Sequence, residues 1–190
     1  MKQNIVSEER IFEETKKAVA QTLGIEESEV ERDKSLIEDL EAQSLDFLDI
    51  NFRLEQAFGC KMARHFVLEH VEELFGEGSA IDENSEITEN AVKLLKLRMG
   101  KDYPVEAGMS IDDLPSLVTV STFSNAVSDI LRTLPEKCPK CQSAEWKTED
   151  GTHIVCGGCG EAAEFKSGDD LIRDWLKETN EKENIFPAND

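Results

Sequence analysis

The chain has 190 residues, enough for one sizeable domain or for a small domain with appendages. Acidic residues outnumber basic ones by 41 to 21, which gives a formal net charge of -20 at pH 7. A field of this sign repels phosphate backbones and anionic membrane surfaces, so we expect no nucleic acid and no membrane insertion. We expect instead protein partners with basic patches, although composition alone favours the simpler view that the charge keeps the chain in solution.

The N-terminal segment is polar and charged, and no run reaches the roughly 18 apolar residues that a membrane span needs. We therefore predict a soluble, cytoplasmic protein. Four of the five cysteines form two CxxC pairs, and in a reducing compartment this arrangement favours metal binding over disulfides.

Apolar periodicity predicts a first amphipathic helix over residues 8–23, which Gly24 ends. A long acidic loop follows, and four apolar residues are expected to pin it to a core: Val30, Leu36, Ile37 and Leu40.

A second helix is predicted from Ser44 to Phe58, with Gly59 as its end. Its apolar residues form two neighbouring stripes, which together should bury a broad face. The first stripe is Leu45, Leu48 and Phe52, and the second is Phe47, Leu54 and Phe58. The residues left for solvent are Asp46, Asp49, Arg53 and Glu55.

Residues 63–110 are predicted to hold two less regular helices, "RHFVLEHVEELF" and "TENAVKLLKLRM", the latter capped by Thr88. A short helix or turn, "SIDDLPSLVTV", then leads into a final helix with Thr119 as its N-cap, and Pro135 ends the helical part.

The two cysteine pairs are Cys138 with Cys141 and Cys156 with Cys159, fourteen residues apart. The segment between them predicts a β-hairpin with Asp150-Gly151 in its turn. Two such knuckles on a hairpin close a tetrahedral site of four sulfurs, which suits zinc and does not exclude iron. The segment resembles a zinc ribbon or a rubredoxin-like knuckle. We expect it to depend on metal for folding and to serve a structural or protein-docking role.

After the ribbon, "SGDDLIRDWLKETNEKEN" predicts a short amphipathic helix, and the last residues, "IFPAND", are predicted to be loose. His153 is expected to be a hairpin surface residue, and Cys60 a small buried one.

Taken locally, Ser44 is a helix N-cap, worth about 1 kcal/mol. A catalytic role is not supported, because no histidine is near it in sequence and no G-x-S-x-G elbow surrounds it.

An acidic "DL" precedes Ser44, Leu and Asp follow it, and the apolar helix ends in "LEQAFGCKM". This wider pattern resembles the acyl carrier protein family. The stretch "SLDFLDINFRLEQAFGCKM" is most similar to specialised carriers that deliver very long acyl chains to lipid A. In the family, a D-S-L triplet opens the second helix of a four-helix bundle, and here Gln43 replaces the Asp.

The resemblance implies that 4′-phosphopantetheine is attached to Ser44 by a phosphopantetheinyl transferase, and that the arm carries an acyl group as a thioester. It also implies that Asp46, Asp49 and Glu55 meet basic patches on acyl synthases or acyltransferases. The missing Asp at Gln43 could slow the attachment or tie it to a particular transferase.

We therefore predict a mainly α protein: an acyl-carrier-like four-helix bundle with a helical insertion and a small C-terminal zinc-ribbon β-hairpin. The expected domains are 1–134, with the insertion at 63–110, then the ribbon at 135–168, then a short helix and tail at 169–190. The protein would be a carrier and not an enzyme, serving specialised fatty acid or lipid biosynthesis. Two alternatives stay open: an acidic interaction module that is not a carrier, and a carrier for polyketide, peptide or aminoacyl cargo.

Overall fold

The computed structural model describes residues 5–186 of the chain. Within this range there are six α-helices, two 3-10 helices and two β-strands. Their bounds are α1 Glu8–Leu23, α2 Ser44–Phe58, α3 Val67–Phe75, α4 Glu89–Met99, α5 Val120–Leu131, β1 Trp146–Thr148, β2 Ile154–Cys156 and α6 Gly168–Glu183, with 3-10 turns at Glu27–Glu29 and Ile111–Leu117. The predicted mainly α fold class with a small C-terminal hairpin is confirmed.

The chain divides into two compact units. The first contains the described residues up to Met62 together with Val118–Gly168, and the second contains Ala63–Leu117 together with the described residues from Asp169 onward. The first unit therefore joins the predicted carrier helices and the cysteine hairpin, and the second joins the predicted insertion and the last helix. The domain boundaries expected from sequence remain a prediction.

Three long helices, α1, α2 and α5, pack against one another in the first unit. Each helix buries one apolar face. The centre of the shared core is formed by Val19, Ile50, Leu54, Phe58, Val127 and Ile130. The hydroxyl of Ser7 caps the start of α1, and Gly24 ends it in a left-handed conformation (φ 68°) that costs other residues strain. The helix therefore begins and ends where the sequence predicts.

The buried face of α2 differs from the predicted one. Leu45, Leu48 and Phe52 are exposed by 75%, 51% and 55%, whereas Ile50, which belongs to neither predicted stripe, is fully buried. The reason is that α2 has apolar residues around more than half of its circumference, and periodicity cannot tell which part the neighbouring helices cover.

The long loop between α1 and α2 is pinned to the start of α5. The amide of Leu36 donates to the carbonyl of Val118 (3.0 Å), and the amide of Val120 donates to the carbonyl of Lys34 (3.1 Å). Val30 and Leu36 are buried, as predicted for anchoring residues, and Ile37 and Leu40 are half-buried. The loop therefore reaches Ser44 along a defined path.

The second unit has a core of its own, built from α3, α4, α6 and the turns between them. Leu94 and Leu176 are among its fully buried side chains. The prediction that the chain is loose from residue 185 is wrong for its first two residues. Phe186 is buried and its ring stacks on Phe75 at 4.8 Å between centroids, because Asn180 holds the backbone of Phe186 at both its amide and its carbonyl. The last four residues of that segment lie outside the described range.

The cysteine hairpin pairs β1 and β2 antiparallel, with Lys147 opposite Val155. Its turn contains Asp150, whose carboxylate accepts hydrogen bonds from the amides of Thr152 (3.0 Å) and His153 (2.8 Å), followed by Gly151 with φ 89°. The hairpin packs on the helices of the first unit. The ring of His153 lies so near Gly59 that a Cβ there would meet it at 3.2 Å.

No helix within residues 5–186 is both long enough and apolar enough to cross a membrane.

Candidate functional site

The first turn of α2 places Ser44 one position later in the helix than the sequence predicts. Gln43 has extended backbone angles (φ -102°, ψ 163°) and is the N-cap, so Ser44 is the first helical residue. The carboxylate of Asp46 accepts a hydrogen bond of 2.7 Å from the amide of Gln43, and the amide of Asp46 donates to the carbonyl of Gln43 (2.9 Å). The prediction that Ser44 caps the helix is therefore wrong, because Gln43 and Asp46 form the capping pair instead.

The hydroxyl of Ser44 is exposed. Within the described chain, no hydrogen bond involves its Oγ. A serine at this position stands over the amides of the first helical turn, which have no partner inside the helix and favour an anion nearby. Within that part of the chain, Ser44 thus presents a hydroxyl without a hydrogen bond at a position where the helix N-terminus stabilises a phosphate group.

The loop before Ser44 is held close to the core. Ala42 is buried, and its amide donates to the carbonyl of Leu36 at 2.8 Å. Glu41 adopts a left-handed conformation (φ 56°), which turns the chain sharply before the helix. These contacts fix the position of Ser44 while its side chain stays in solvent.

The three acidic residues predicted to bind partners each have a partner within the fold. The carboxylate of Asp46 accepts a hydrogen bond from the amide of Gln43, as described above. One carboxylate oxygen of Glu55 accepts a hydrogen bond from the amide of Met62 (2.9 Å). Asp49 accepts 2.8 Å hydrogen bonds from Arg53 and from the hydroxyl of Thr22 on α1. The bonds from Arg53 and Thr22 lower the pKa of Asp49 below its usual value, so it stays ionised.

The exposed apolar residues of α2 lie close to Ser44 along the helix. Leu45 is next to it in sequence, and Leu48 and Phe52 follow at spacings of three and four residues, which places them along one side of the helix. The apolar periodicity of α2 predicted these residues in the core, and their place on the surface was therefore not expected.

The four paired cysteines converge at one point of the hairpin. Their Sγ atoms all lie within 4.8 Å of one another, with 3.7 Å between Cys138 and Cys159 and 3.5 Å between Cys141 and Cys156. A disulfide needs about 2.0 Å, so the thiols are unpaired. A tetrahedral zinc site with Zn–S bonds of about 2.3 Å has sulfur–sulfur edges of about 3.8 Å. The donor set and its spacing therefore fit a tetrahedral metal ion such as zinc.

The two CxxC turns have the same backbone form. In each, the residue after the second cysteine has a positive φ, 62° at Gln142 and 76° at Gly160, and its amide donates at 2.9 Å to the carbonyl of the first cysteine. In the second turn a Cβ at Gly157 would lie 2.8 Å from the side chain of Glu145. Any larger residue at this position would therefore force the exposed side chain of Glu145 to move.

Comparisons with known proteins identify the region around Ser44. The family model described as "Phosphopantetheine attachment site" matches residues 13–73, a range that includes Ser44 and excludes the cysteine pairs. No solved structure shows a significant match.

The chain is 40% identical over 58 residues to a protein named "Acyl carrier protein" from Thermotoga maritima, which covers 30% of this chain and 72% of that protein. It is 43% identical over 54 residues to the "Acyl carrier protein" of Rubrobacter xylanophilus, and these residues cover 28% of this chain and 67% of that protein. These similarities indicate a phosphopantetheine-binding carrier and not a catalyst. The chain belongs to the acyl carrier protein family.

Proposed function

We propose that Ser44 is the residue to which the 4′-phosphopantetheine arm is attached. The observation that carries this proposal is the exposed and unbonded hydroxyl of Ser44 at the first residue of α2, inside the region that matches the phosphopantetheine family model. The hydroxyl is accessible to a phosphopantetheinyl transferase, and its attachment would break no hydrogen bond of the described chain.

The surroundings of Ser44 favour an arm that extends into solvent. The helix N-terminus stabilises a nearby phosphodiester by roughly 0.3–1 kcal/mol. Glu41 and Asp46 flank the hydroxyl in sequence and repel the same phosphate. The opposing effects leave no strong docking of the arm on the chain, and a carrier that serves several enzymes needs that freedom.

When attached, the arm supplies a terminal thiol that holds a cargo as a thioester. We propose an acyl cargo used in specialised fatty acid or lipid biosynthesis, as in the carriers that the α2 sequence resembles. A polyketide, peptide or aminoacyl cargo is the alternative.

We propose that acyl synthases, acyltransferases and the transferase recognise the surface of α2 around Ser44. This surface combines the charge of Asp46 and Asp49 with the exposed side chains of Leu45, Leu48 and Phe52. The carboxylates would steer a basic enzyme surface during encounter, and the apolar side chains would be buried on contact. We assign Glu55 to the same surface. Its carboxylate should attract a basic partner less strongly, because one of its oxygens already accepts a hydrogen bond from the amide of Met62.

We propose a structural zinc ion for Cys138, Cys141, Cys156 and Cys159. Zinc would tie the two CxxC turns together, and a hairpin with two strands of three residues each is too small to fold without such a link. Its place in the first unit, with His153 against Gly59, suggests that the ribbon supports the end of α2 opposite Ser44.

The attachment is tested by intact mass spectrometry of the full chain after co-expression with a phosphopantetheinyl transferase. We expect the wild type to gain the mass of one phosphopantetheine and Ser44→Ala to gain none. Ser28→Ala, which removes another exposed hydroxyl in a loop, is the matched control and should be modified fully. An unmodified wild type, under conditions that modify an ordinary carrier, would refute the proposal.

The cargo is tested by mass spectrometry of the protein purified from its native cells without reducing thiols. A long acyl thioester on the arm at Ser44 supports the role in lipid biosynthesis. A peptide, aminoacyl or polyketide group on the arm would contradict that role and support the alternative cargo.

A further inference from the structure

Two histidines and one aspartate converge in the second unit, apart from the residues discussed so far. His65 lies just before α3, His70 lies within it, and Asp169 lies in the first turn of α6. One donor atom from each lies within 4.8 Å of the others. The sequence separates Asp169 from His70 by 99 positions, so only the fold brings them together.

His70 is buried and lies between two carboxylates. Its side chain is only 1% exposed, and both ring nitrogens face carboxylates. Nε2 lies 2.9 Å from Oδ1 of Asp169, and Nδ1 lies 3.4 Å from Oε2 of Glu73. A neutral imidazole has one N–H and can donate to one of the two. The lone pair on the other ring nitrogen can bind a metal ion that a carboxylate also holds.

We propose that His65, His70 and Asp169 bind a divalent transition-metal ion, with zinc as the reference ion. A tetrahedral site with bonds of about 2.0–2.1 Å has donor–donor edges of about 3.3–3.4 Å. The distances here are 2.9 Å from Asp169 to His70 Nε2 and 3.7 Å from Asp169 to His65 Nδ1, on either side of that value. An ion at this point would coordinate Nε2 of His70 and leave Nδ1–H to donate to Glu73.

The ligands are already oriented by a second layer of contacts. Glu73, which faces Nδ1 of His70, is itself held by Arg173 at 3.1 Å. The carboxylate of Asp169 accepts hydrogen bonds of 3.1–3.2 Å from the amides of Arg64 and His65. A carboxylate behind a metal-binding histidine, and hydrogen bonds to a ligating carboxylate, are the usual supports of such sites, because they fix ring and tautomer.

The donor types also define the class of ion. Two imidazoles and one carboxylate suit zinc, nickel, copper or iron and are poor ligands for calcium or magnesium. His65 is 56% exposed, so the remaining coordination position opens to solvent and can hold water. This differs from the cysteine site, where four sulfurs leave no position open.

The experiment compares the zinc content of full-length variants after exhaustive chelation, equilibration with zinc chloride and removal of loose ions. We expect His65→Ala to retain one zinc ion per chain fewer than the wild type. His65 is exposed, so this substitution leaves the fold intact. The matched control is Glu69→Ala, an exposed residue of α3 that is not one of the three proposed ligands, which should retain as much zinc as the wild type.

The comparison does not depend on the cysteine site. Cys138→Ser should lower zinc content because it removes a ligand of the four-cysteine site. The loss caused by His65→Ala should add to that loss when both changes are combined. Asp169→Asn should show the same loss as His65→Ala. Equal zinc content in the wild type and His65→Ala would mean that only a hydrogen bond joins His70 to Asp169, and it would overturn the proposal.

Discussion

The amide of Gln43 donates a hydrogen bond of 2.7 Å to the carboxylate of Asp46, and this pair forms the first turn of α2. Because the carboxylate of Asp46 accepts the hydrogen bond at the start of the helix, the hydroxyl of Ser44, which lies between these residues in sequence, is not needed to cap the helix. The proposed attachment site for the arm therefore has a hydroxyl that no hydrogen bond within residues 5–186 occupies.

The substitution Gln43→Asp should strengthen both the helix start and the attachment of the arm. An aspartate is a better N-cap, and its charge is favourable at a helix N-terminus, so we expect the free energy of unfolding to rise by up to about 1 kcal/mol. It also restores the family's residue before the serine, so the rate of phosphopantetheine attachment should increase. Denaturant unfolding and a time course of intact mass measure the two effects.

The matched control for this change is Gln56→Asp, the same change in the last turn of α2. There the new charge opposes the helix dipole, so stability should fall slightly while the attachment rate stays constant. An attachment rate that falls with Gln43→Asp would contradict the prediction.

The bonds of Asp49 to Arg53 and Thr22 should make stability depend on pH at the acid end. Because these bonds lower the pKa of Asp49 in the folded state, its contribution is present above the unfolded-state pKa of about 3.9. It is lost as the pH falls through the lower folded-state value. Asp49→Asn should therefore cost about 0.3–0.5 kcal/mol at pH 7, since the pair is half exposed, and less near pH 2. Urea unfolding at both pH values tests this, and a difference that grows on acidification would be inconsistent with it.

Charge reversal at Asp46 and Asp49 should slow the attachment of the arm. A basic transferase is attracted by these carboxylates, so the double change to Lys should reduce the attachment rate at low salt and matter less at high salt. Glu27→Lys, at an exposed acidic position in the α1–α2 loop, is the control. An unchanged rate in the double variant would remove these residues from the recognition surface.

Two neighbouring apolar residues of α2 should respond oppositely to truncation. Ile50→Ala leaves a cavity in the core and should cost about 2–5 kcal/mol of unfolding free energy. Phe52→Ala removes an exposed ring and should change stability by less than about 0.5 kcal/mol. If Phe52 is part of the partner surface, its removal should lower the rate of acyl transfer from a synthase. Comparable losses of stability in the two variants would place Phe52 in the core after all.

Cys60 should be unreactive in the folded protein. Burial, with a smaller contribution from the charge of Glu55, raises the pKa of this thiol to about 12, so almost no thiolate exists at pH 8. Alkylation with iodoacetamide, followed by peptide mass spectrometry, should leave Cys60 unlabelled until the chain is denatured. Labelling of Cys60 in the native state at the rate of an exposed thiol would disagree with this.

Much of the fold was predictable because local signals mark helix ends. Ser7, Thr88 and Thr119 precede the apolar segments of α1, α4 and α5, and Gly24 and Gly59 end α1 and α2. These helix ends follow from residues that act over one turn. The cysteine spacing was equally informative, because a CxxC turn needs only its own backbone to aim two sulfurs at one point.

The candidate site was predictable in identity and not in geometry. Ser44 could be recognised from the residues on either side of it, but a local rule placed it at the N-cap, one position too early. The competing cap formed by Gln43 and Asp46 depends on the path of the loop, which Leu36 and Ala42 fix through contacts with the core. A pattern of residues along α2 cannot contain that information.

The helical segments, the paired cysteines and the serine that we propose as the attachment site can be read from the amino-acid sequence alone, because each depends on residues within a few positions. Which side of α2 is buried depends on the packing of the helices, which leaves Leu48 exposed and Ile50 enclosed. The tertiary structure alone brought Asp169 beside His70, across 99 positions of chain. Both results depend on which surfaces pack together, and burial is a property of the neighbours as much as of the residue.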